Sequence, residues 1–218
     1  MSVRVEVWGD YACFSRPEMK TERVTYDVMT PSAARGLLEA VYWHPGMKWR
    51  IDKIYILSPI VFTNIRRNEV GSVVSGQNVL TVMNGGQKDL YICAAQDIQQ
   101  RAALVLRHVH YVIEAHFDMT ERACPGDNPG KFQDIMKRRL KKGQCFHQPY
   151  LGVREFPANF RLYESDTVFA EPGLLGERDL GYMLYDMDYS DPREIQPMFF
   201  RAVLKDGVLD LTDCEVIK

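Results

Sequence analysis

Residues 104–142 read LVLRHVHYVIEAHFDMTERACPGDNPGKFQDIMKRRLKK, and this stretch decides the fold. Apolar side chains recur at every second position between residues 109 and 117, a spacing that places them on one face of a β-strand. Asn128 then offers an N-cap and Pro129 a first-turn proline, so a helix begins shortly after the strand. The stretch predicts a strand with one buried face followed by a helix. The apolar strand positions are Val109, Tyr111, Ile113, Ala115 and Phe117.

The predicted helix has an apolar face and a basic face. At about 100° per residue, Lys131, Arg138 and Lys142 share one side, and Lys137 and Lys141 add further charge. Lys131 lies in the first turn, where exposed backbone amides and the helix dipole favour an anion such as phosphate. The helix is therefore interpreted as an RNA-binding track, with a solvated amphipathic helix as the alternative. The apolar stripe consists of Phe132, Ile135, Met136 and Leu140.

Outward from this stretch, the N-terminal part predicts a strand, a helix and an extended segment. Valines alternate with polar residues from residue 3 to 8, and the strand is expected to stop at Gly9-Asp10. Thr30 and Pro31 start a helix that ends before residue 44. Residues 48–63 read as extended, with an edge position, a bulge or a break at Pro59. Residues 66–89 form a predicted protruding insertion, with a hairpin turn at Asn84-Gly85.

The C-terminal part predicts further strands. Residues 151–163 read as extended, and residues 179–190, 198–205 and 208–211 as short strands, the last two joined at Asp206-Gly207. The order β, α, β, β, α, β is that of an α+β ferredoxin-like domain, with both helices on one face of an antiparallel sheet. We expect this domain over residues 1–165 and a small antiparallel β appendage over residues 166–218. The helix-free face of the sheet would be available for a ligand.

Charge is distributed unevenly along a nearly neutral chain. The 218 residues carry a formal net charge of −2, yet residues 131–154 hold seven Lys or Arg against one Asp. Residues 162–218 hold thirteen Asp or Glu against five Lys or Arg. The basic middle is expected to contact phosphates, and the acidic part to stay off nucleic acid, meet a basic neighbour or aid solubility. Five scattered cysteines and no long apolar span favour a cytoplasmic protein with free thiols and no membrane contact.

The strand in residues 104–119 also carries a competing signal for a metal. His108, His110, Glu114 and His116 project to one face at a period of two. His108 and His116 are eight residues apart, about 26 Å along a strand, so one ion reaches only part of the set. A polar or RNA-facing sheet surface is favoured, and no metal is expected.

Several other residues are candidates for RNA contact, each with a structural alternative. Arg66 and Arg67 flank the glycine-rich insertion and could grip a hairpin or single strand, or simply lie on a surface loop. Arg154 follows Gly152 in a YLGVRE loop that would admit an RNA backbone or merely form a turn. Tyr42, Trp43 and Phe146 could stack on bases or belong to the core.

Motifs over nearly the whole chain resemble the CRISPR-associated Cas five family, in particular its subtype I-C (Dvulg) branch. They occur in collinear order: WGDYACFSRPE, AVYWHP, LRHVHYVIEAHF, PGKF, YLGVREF, DLGYMLYDMDY and FFRAVLKDGVLD. The resemblance implies a ferredoxin-like (RRM-like, RAMP-type) RNA-binding fold with a β appendage. It also implies metal-free cleavage of precursor CRISPR RNA without a cofactor, followed by retention on the crRNA 5′ handle within a surveillance complex.

The resemblance also implies site residues. The family's catalytic tyrosine falls on Tyr42 and its lysine on Lys131, while the histidine that usually follows the lysine is replaced by Phe132. Metal-free RNA cleavage needs the 2′-OH deprotonated, the 5′-oxygen protonated and the phosphorane charge stabilised. His147, after the basic helix, and His44, two residues past Tyr42, are the available imidazoles.

The sequence leaves two principal functions open. The first is a metal-independent endoribonuclease that uses Tyr42 and Lys131, with His147 as the catalytic imidazole. The second is a non-catalytic subunit that binds the 5′ handle and anchors other type I-C effector subunits, and Phe132 favours it. A metal-dependent nuclease built on His108, His110 and Glu114 is a third interpretation, and duplex DNA is a further possible ligand of the basic surface.

Overall fold

The computed structural model describes residues 2–19, 21–191 and 193–218. Antiparallel strands dominate, and three α-helices interrupt them within these residues. A short 3₁₀ turn covers Pro172–Leu174. The strands are β1 Val3–Ala12, β2 Arg23–Val24, β3 Met47–Ile56, β4 Phe62–Val70, β5 Ile98–Met119, β6 Asn159–Leu162, β7 Glu177–Asp188, β8 Gln196–Lys205, β9 Val208–Asp210 and β10 Val216–Ile217, and the helices are α1 Pro31–Val41, α2 Gly76–Met83 and α3 Pro129–Lys142.

One antiparallel sheet organises the chain, in the order β10-β8-β9-β3-β5-β1-β6. β5 lies between β1 and β3, and the alternation predicted for residues 109–117 is confirmed, because these apolar side chains join the core. β1 runs past Gly9-Asp10, where the strand was expected to stop, because Tyr11 and Ala12 still pair with β5. β9 pairs with β3, so the C-terminal strands extend the same sheet. The expected boundary near residue 165 stays a prediction.

The two predicted helices begin at the predicted caps. The Thr30 hydroxyl accepts a hydrogen bond from Ala33 N at 3.3 Å, and Asn128 Oδ1 accepts one from Lys131 N at 2.9 Å. Each cap is followed by proline at the first helical position, where the missing N–H costs nothing. α1 packs on β3 and β7, and α3 packs on β1 and β6, so both apolar stripes face the sheet. Phe132, Met136 and Leu140 of α3 are buried.

Residues 64–103 form a separate compact unit, and the insertion predicted at residues 66–89 falls within it. The hairpin turn expected at Asn84-Gly85 is wrong, because this pair ends helix α2. Gly85, at φ +85°, donates to Val82 O, and Gly86 donates to Thr81 O, the two bonds of a Schellman helix end. An Asn-Gly pair satisfies a hairpin and a helix end equally well, because both require a left-handed residue.

The turn predicted at Asp206-Gly207 is confirmed, with φ angles of 48° and 72° between β8 and β9. The five cysteines are free thiols, as expected. In the part of the chain that the structure describes, no helix is long and apolar enough to cross a membrane.

Candidate active site

Tyr42 lies where helix α1 ends, as the sequence predicted. Its backbone N–H closes the helix on Leu38 O at 2.9 Å, and its carbonyl accepts the indole N–H of Trp49 at 3.0 Å. The residue is 7% exposed, so its ring is packed. These two backbone bonds fix the tyrosine against α1 and β3, and a fixed ring is what positioned chemistry needs.

Arg139 of α3 reaches the same helix end. Its guanidinium lies 5.0 Å from the centre of the Tyr42 ring, and its Nη1 donates to Val41 O at 2.5 Å. A cation above a phenol ring is attracted by the ring's negative face, and the charge-assisted bond satisfies a carbonyl that the helix leaves free. Arg139 therefore points inward from the basic helix and ties α3 to the end of α1.

Lys131 stands at the start of α3 and already has an anionic partner. Its Nζ donates to Asp127 Oδ1 at 2.8 Å, and the other carboxylate oxygen accepts from Cys124 N at 2.9 Å. The Asp127 side chain is 3% exposed, whereas that of Lys131 is half-exposed. The hydrogen bond raises the pKa of Lys131 and lowers that of Asp127, so both groups stay charged at neutral pH.

The side chain of Phe132 packs against the rings of Tyr42 and His44. Its side chain is fully buried, and its ring lies 6.1 Å from the Tyr42 ring and 4.9 Å from the His44 ring, centre to centre. The packing role considered for Phe132 is confirmed. Because Lys131 precedes Phe132 in α3, the same turn carries the ammonium group to the edge of this aromatic cluster.

The phenol of Tyr42 is neutral in this environment. Burial raises its pKa, the charges of Arg139 and Lys131 oppose that shift, and Asp127 adds to it, with a raised pKa as the net result. A neutral phenol donates hydrogen bonds at neutral pH and is a poor base. That three charged side chains act on one phenol also shows that the ends of α1 and α3 converge.

The two candidate imidazoles are placed differently. Phe146 N and His147 N both donate to Ala40 O, which anchors the loop after α3 on the last turn of α1. The His147 side chain is exposed and packs its ring on Phe146 at 4.4 Å. His44 instead packs on Phe132, with its Nδ1 3.8 Å from Asp127 Oδ2. His44, which was not the imidazole expected at the site, therefore lies beside the Asp127 carboxylate that pairs with Lys131.

The predicted RNA-contact residues fall into three places. Lys137, Arg138 and Lys142 are exposed on α3, and Lys141 bonds Glu164 at 2.8 Å. Arg154 is exposed in the loop after Gly152. Arg66 and Arg67 belong to the unit of residues 64–103, where Arg67 lies 2.8 Å from Glu69.

The histidines of β5 do not gather around a common point. His110 Nε2 lies 2.8 Å from Glu6, and His116 Nδ1 lies 2.7 Å from Asp52. His108, at φ +52°, accepts a hydrogen bond from its neighbour Arg107. Within residues 2–19, 21–191 and 193–218, no group of three or more His, Cys, Asp or Glu is arranged to hold a metal ion. The sheet face that these residues share is occupied by internal ion pairs.

Cations on the helix-free face have acidic partners at close range. Glu114 accepts from Arg4 at 2.9 Å, and Glu6 accepts from Arg161 at 2.6 Å. Lys53 reaches Asp210 at 2.8 Å. A face neutralised in this way attracts phosphates less than the exposed lysines and arginines of α3. The ligand surface expected on the sheet is therefore better supported on the helix side.

Known proteins match this chain over nearly its whole length. A family model described as CRISPR-associated protein (Cas_Cas5) matches residues 2–212. A protein of Mannheimia succiniciproducens named CRISPR pre-crRNA endoribonuclease Cas5d is 51% identical over 213 residues, covering 96% of this chain and 94% of the relative. A protein of the same name from Thermus thermophilus is 41% identical over 226 residues, covering 96% and 90%.

Solved structures share the fold. One, titled Crystal Structure of CRISPR-associated Protein, has a TM-score of 0.70 at 21% identity and covers 100% of this chain and 97% of its own. A chain of a CRISPR RNA-guided surveillance complex has a TM-score of 0.53 at 13% identity, covering 100% and 89%.

Proposed function

The chain belongs to the CRISPR-associated Cas5 family, and from this premise we propose that it is an endoribonuclease that cuts precursor CRISPR RNA within its repeats. Two relatives that match almost end to end carry the name CRISPR pre-crRNA endoribonuclease Cas5d. After cleavage the protein stays on the 5′ handle of the crRNA as a subunit of a type I-C surveillance complex. Its other partners are the neighbouring effector subunits, and duplex DNA is a further ligand of the basic surface.

One observation carries the catalytic part of the proposal. A neutral phenol on Tyr42 and an ammonium group on Lys131 converge on the buried Phe132, at the meeting point of two helix ends. A phenol there orients the 2′-OH by hydrogen bonding, and the ammonium stabilises the charge that develops on the phosphorane. The positive end of the α3 dipole adds to the attraction for phosphate.

The proposed reaction is an attack by the 2′-oxygen on the adjacent phosphorus. The 2′-O–P bond forms and the P–O5′ bond breaks, while the 2′-OH proton passes to solvent and the 5′-oxygen takes a proton from an acid of the site or from solvent. The products are a 2′,3′-cyclic phosphate and a 5′-hydroxyl. Every step is a proton transfer or a charge stabilisation, so the proposed mechanism runs without a metal or cofactor.

We also propose that the fold is the ferredoxin-like, RAMP-type arrangement. β1, α1, β3, β5, α3 and β6 follow one another in the required order, and β5 lies between β1 and β3, as in a split βαβ unit. The β appendage then comprises the strands from β7 onward, and the domain break falls near residue 165. Free thiols throughout are consistent with a cytoplasmic protein.

A second candidate function is a non-catalytic subunit that binds and caps the 5′ handle. The pairing of Lys131 with Asp127 favours it, because this lysine must exchange its carboxylate for a phosphate before it takes part in catalysis. Exposed Lys137, Arg138 and Lys142 hold RNA equally well in either function.

The deciding experiment incubates the purified protein with its own repeat RNA in EDTA. Wild type is compared with Tyr42→Phe, Lys131→Ala and His147→Ala, and with RNA that carries a 2′-deoxy group at the scissile nucleotide. We expect wild type to cut, Lys131→Ala and Tyr42→Phe to lose about 100-fold or more in rate, and the deoxy RNA to survive. Equal cutting by wild type and Lys131→Ala would remove the site assignment. Binding without cutting would leave the second candidate function in its place.

A further inference from the structure

We infer that His44 is the proton donor to the leaving 5′-oxygen, an inference that rests on the endoribonuclease function proposed above. Tyr42 and Lys131 are assigned to the nucleophile and the phosphorane, which leaves the departing alkoxide without an assigned acid. An imidazole beside both groups fits this role by its chemistry. His44 lies two residues after Tyr42, between the end of α1 and the start of β3.

The His44 ring is held against the site. Its centre is 4.9 Å from that of Phe132, the same ring that Tyr42 contacts. The side chain is 32% exposed, so one edge of the imidazole remains open to a ligand. Packing on one side and solvent on the other are what a residue needs to meet a bound phosphodiester in a fixed orientation.

A backbone hydrogen bond sets the tautomer of neutral His44. Gly46 N donates to Nδ1 at 3.0 Å, so the ring proton resides on Nε2, the nitrogen that is not engaged by the loop. Residue 46 has room only for glycine, because a Cβ there would lie 2.9 Å from Ala123 Cα and 3.1 Å from Nδ1. The close approach of two loops therefore holds the Nε2–H edge in place.

Asp127 provides the charge that a protonated His44 requires. Its Oδ2 lies 3.8 Å from Nδ1, while its Oδ1 bonds Lys131 at 2.8 Å. The carboxylate is almost completely buried and so stays close to both cations. One acid thus connects the ammonium that stabilises the phosphorane with the imidazolium that gives up the proton.

The step balances in protons and electrons. The P–O5′ bond breaks with its electron pair on the 5′-oxygen, which takes the Nε2 proton of the His44 imidazolium. Protonation of Nδ1 displaces the Gly46 N–H from this nitrogen, so the imidazolium and the neutral imidazole that it leaves both direct an Nδ1–H to Asp127. Solvent then reprotonates Nε2 before the next turnover.

The other four histidines are placed elsewhere. His110 and His116 bond acidic residues on the helix-free face of the sheet, and His108 accepts from Arg107. His147 packs on Phe146. Among the described residues, His44 is thus the imidazole in ring contact with Phe132.

A leaving-group substitution tests this assignment. His44→Ala and His44→Gln are compared with wild type on the protein's own repeat RNA and on the same RNA with a bridging 5′-sulfur at the cleaved linkage. A thiolate leaves without protonation, so only the loss of a proton donor is rescued by sulfur. We expect both variants to cut the oxygen substrate about 100-fold more slowly than wild type and the sulfur substrate within about threefold of wild type. His116→Gln, which changes a histidine on the opposite face, is the matched control and should cut both substrates like wild type.

The outcomes separate the inference from the function on which it rests. A wild-type protein that cuts neither substrate would overturn the endoribonuclease function itself. Normal cutting of the oxygen substrate by the His44 variants would overturn only the role of His44. If the His44 variants cut the oxygen substrate slowly and the 5′-sulfur substrate no better, the role of His44 would also be overturned, because that pattern marks a structural defect. Sulfur rescue of His147→Ala in place of the His44 variants would assign the proton donor to His147. His44→Gln keeps an N–H donor and similar volume, and thermal melting of each variant confirms that it folds.

Discussion

At the scale of single residues, the Arg139 guanidinium connects the chemistry of the site to its stability. The guanidinium lies over the Tyr42 ring and donates a hydrogen bond to Val41 O. The same side chain therefore orients the phenol and satisfies a carbonyl at the C-terminal end of α1. Its charge also opposes the rise that burial causes in the pKa of Tyr42. The inward direction of Arg139 depends on the packing of α3 against α1.

Replacing Arg139 by Met should weaken both functions of this side chain. We expect the free energy of unfolding to fall by about 2 kcal/mol, because a charge-assisted hydrogen bond and a cation–π contact are lost together. The pKa of Tyr42 should move further upward, because a nearby positive charge has been removed. Urea unfolding measures the first effect, and a spectrophotometric titration that subtracts the Tyr42→Phe protein measures the second. Arg138→Met, on the exposed face of the same helix, should change neither quantity.

Gly152 is a position where the backbone permits no side chain. Its φ is +85°, and a Cβ there would lie 2.0 Å from the carbonyl oxygen of Cys13. We expect Gly152→Ala to lower the free energy of unfolding by about 3 kcal/mol, through strain and the displacement of β1. Gly176 has a similar φ of +88° with open space around it, so Gly176→Ala should cost only about 1 kcal/mol. Equal losses in urea unfolding would contradict the steric argument.

At the scale of secondary structure, α3 carries an exposed basic face that we propose as the RNA-binding surface. Neutralising Lys137, Arg138 and Lys142 together to Gln should weaken binding of repeat RNA and flatten its dependence on salt. Each lost phosphate contact reduces the slope of log K against log salt by about 0.7 for single-stranded RNA, so the triple variant should lose about 2. Filter binding at several salt concentrations gives the slope. An equal change in a control with Arg178, Arg193 and Lys205 replaced by Gln would show that net charge alone is responsible.

The pairing of β3 with β9 depends on a carboxylate. Burial acts to raise the pKa of Asp210, but hydrogen bonds from Lys53 and Thr212 outweigh it and lower the pKa to about 2. An unfolded aspartate has a pKa of about 3.9, so this stabilisation is complete above that pH and is lost as the pH falls through about 2. Discounted for solvent exposure, we expect Asp210→Asn to cost about 1 kcal/mol at pH 6 and almost nothing at pH 2. Urea unfolding at both pH values tests this, with Asp213→Asn as the control.

The elements that could be predicted from sequence are those whose ends and faces are locally encoded. Thr30-Pro31 and Asn128-Pro129 start α1 and α3 at the expected residues, because a cap acts within one turn. α2 was not predicted: Val79, Val82 and Met83 recur at helical spacing, but the helix is only eight residues long and none of its described residues is buried. Its terminal Asn84-Gly85 is the same signal that a hairpin uses. The positions of His44 and His147 relative to Lys131 could not be predicted, because the position of a loop is not a local property of the sequence.

At the scale of the whole molecule, the described hydrophobic core lies outside residues 64–103. Val61 O pairs with Arg107 N near the ends of this segment, so the two strands that enter it are already adjacent. Replacing residues 64–103 by Asn-Gly should therefore leave a folded protein whose Tm changes by only a few degrees. Circular dichroism melting tests this. Leu106→Ala, a cavity in the core cluster, should lower the free energy of unfolding by about 3 kcal/mol, and a deletion that costs more would contradict the expectation.

The pairing of Lys131 with Asp127 adds a free-energy cost to the binding of any anion at this ammonium group. A solitary phosphate must displace a buried carboxylate that lies 2.8 Å from the ammonium group. A long RNA that is already anchored along α3 presents its next phosphodiester at a high effective concentration and competes far better. Free phosphate and short oligonucleotides should accordingly be poor competitors. In the proposed site, the carboxylate therefore favours substrates that bind at several points before they are cut.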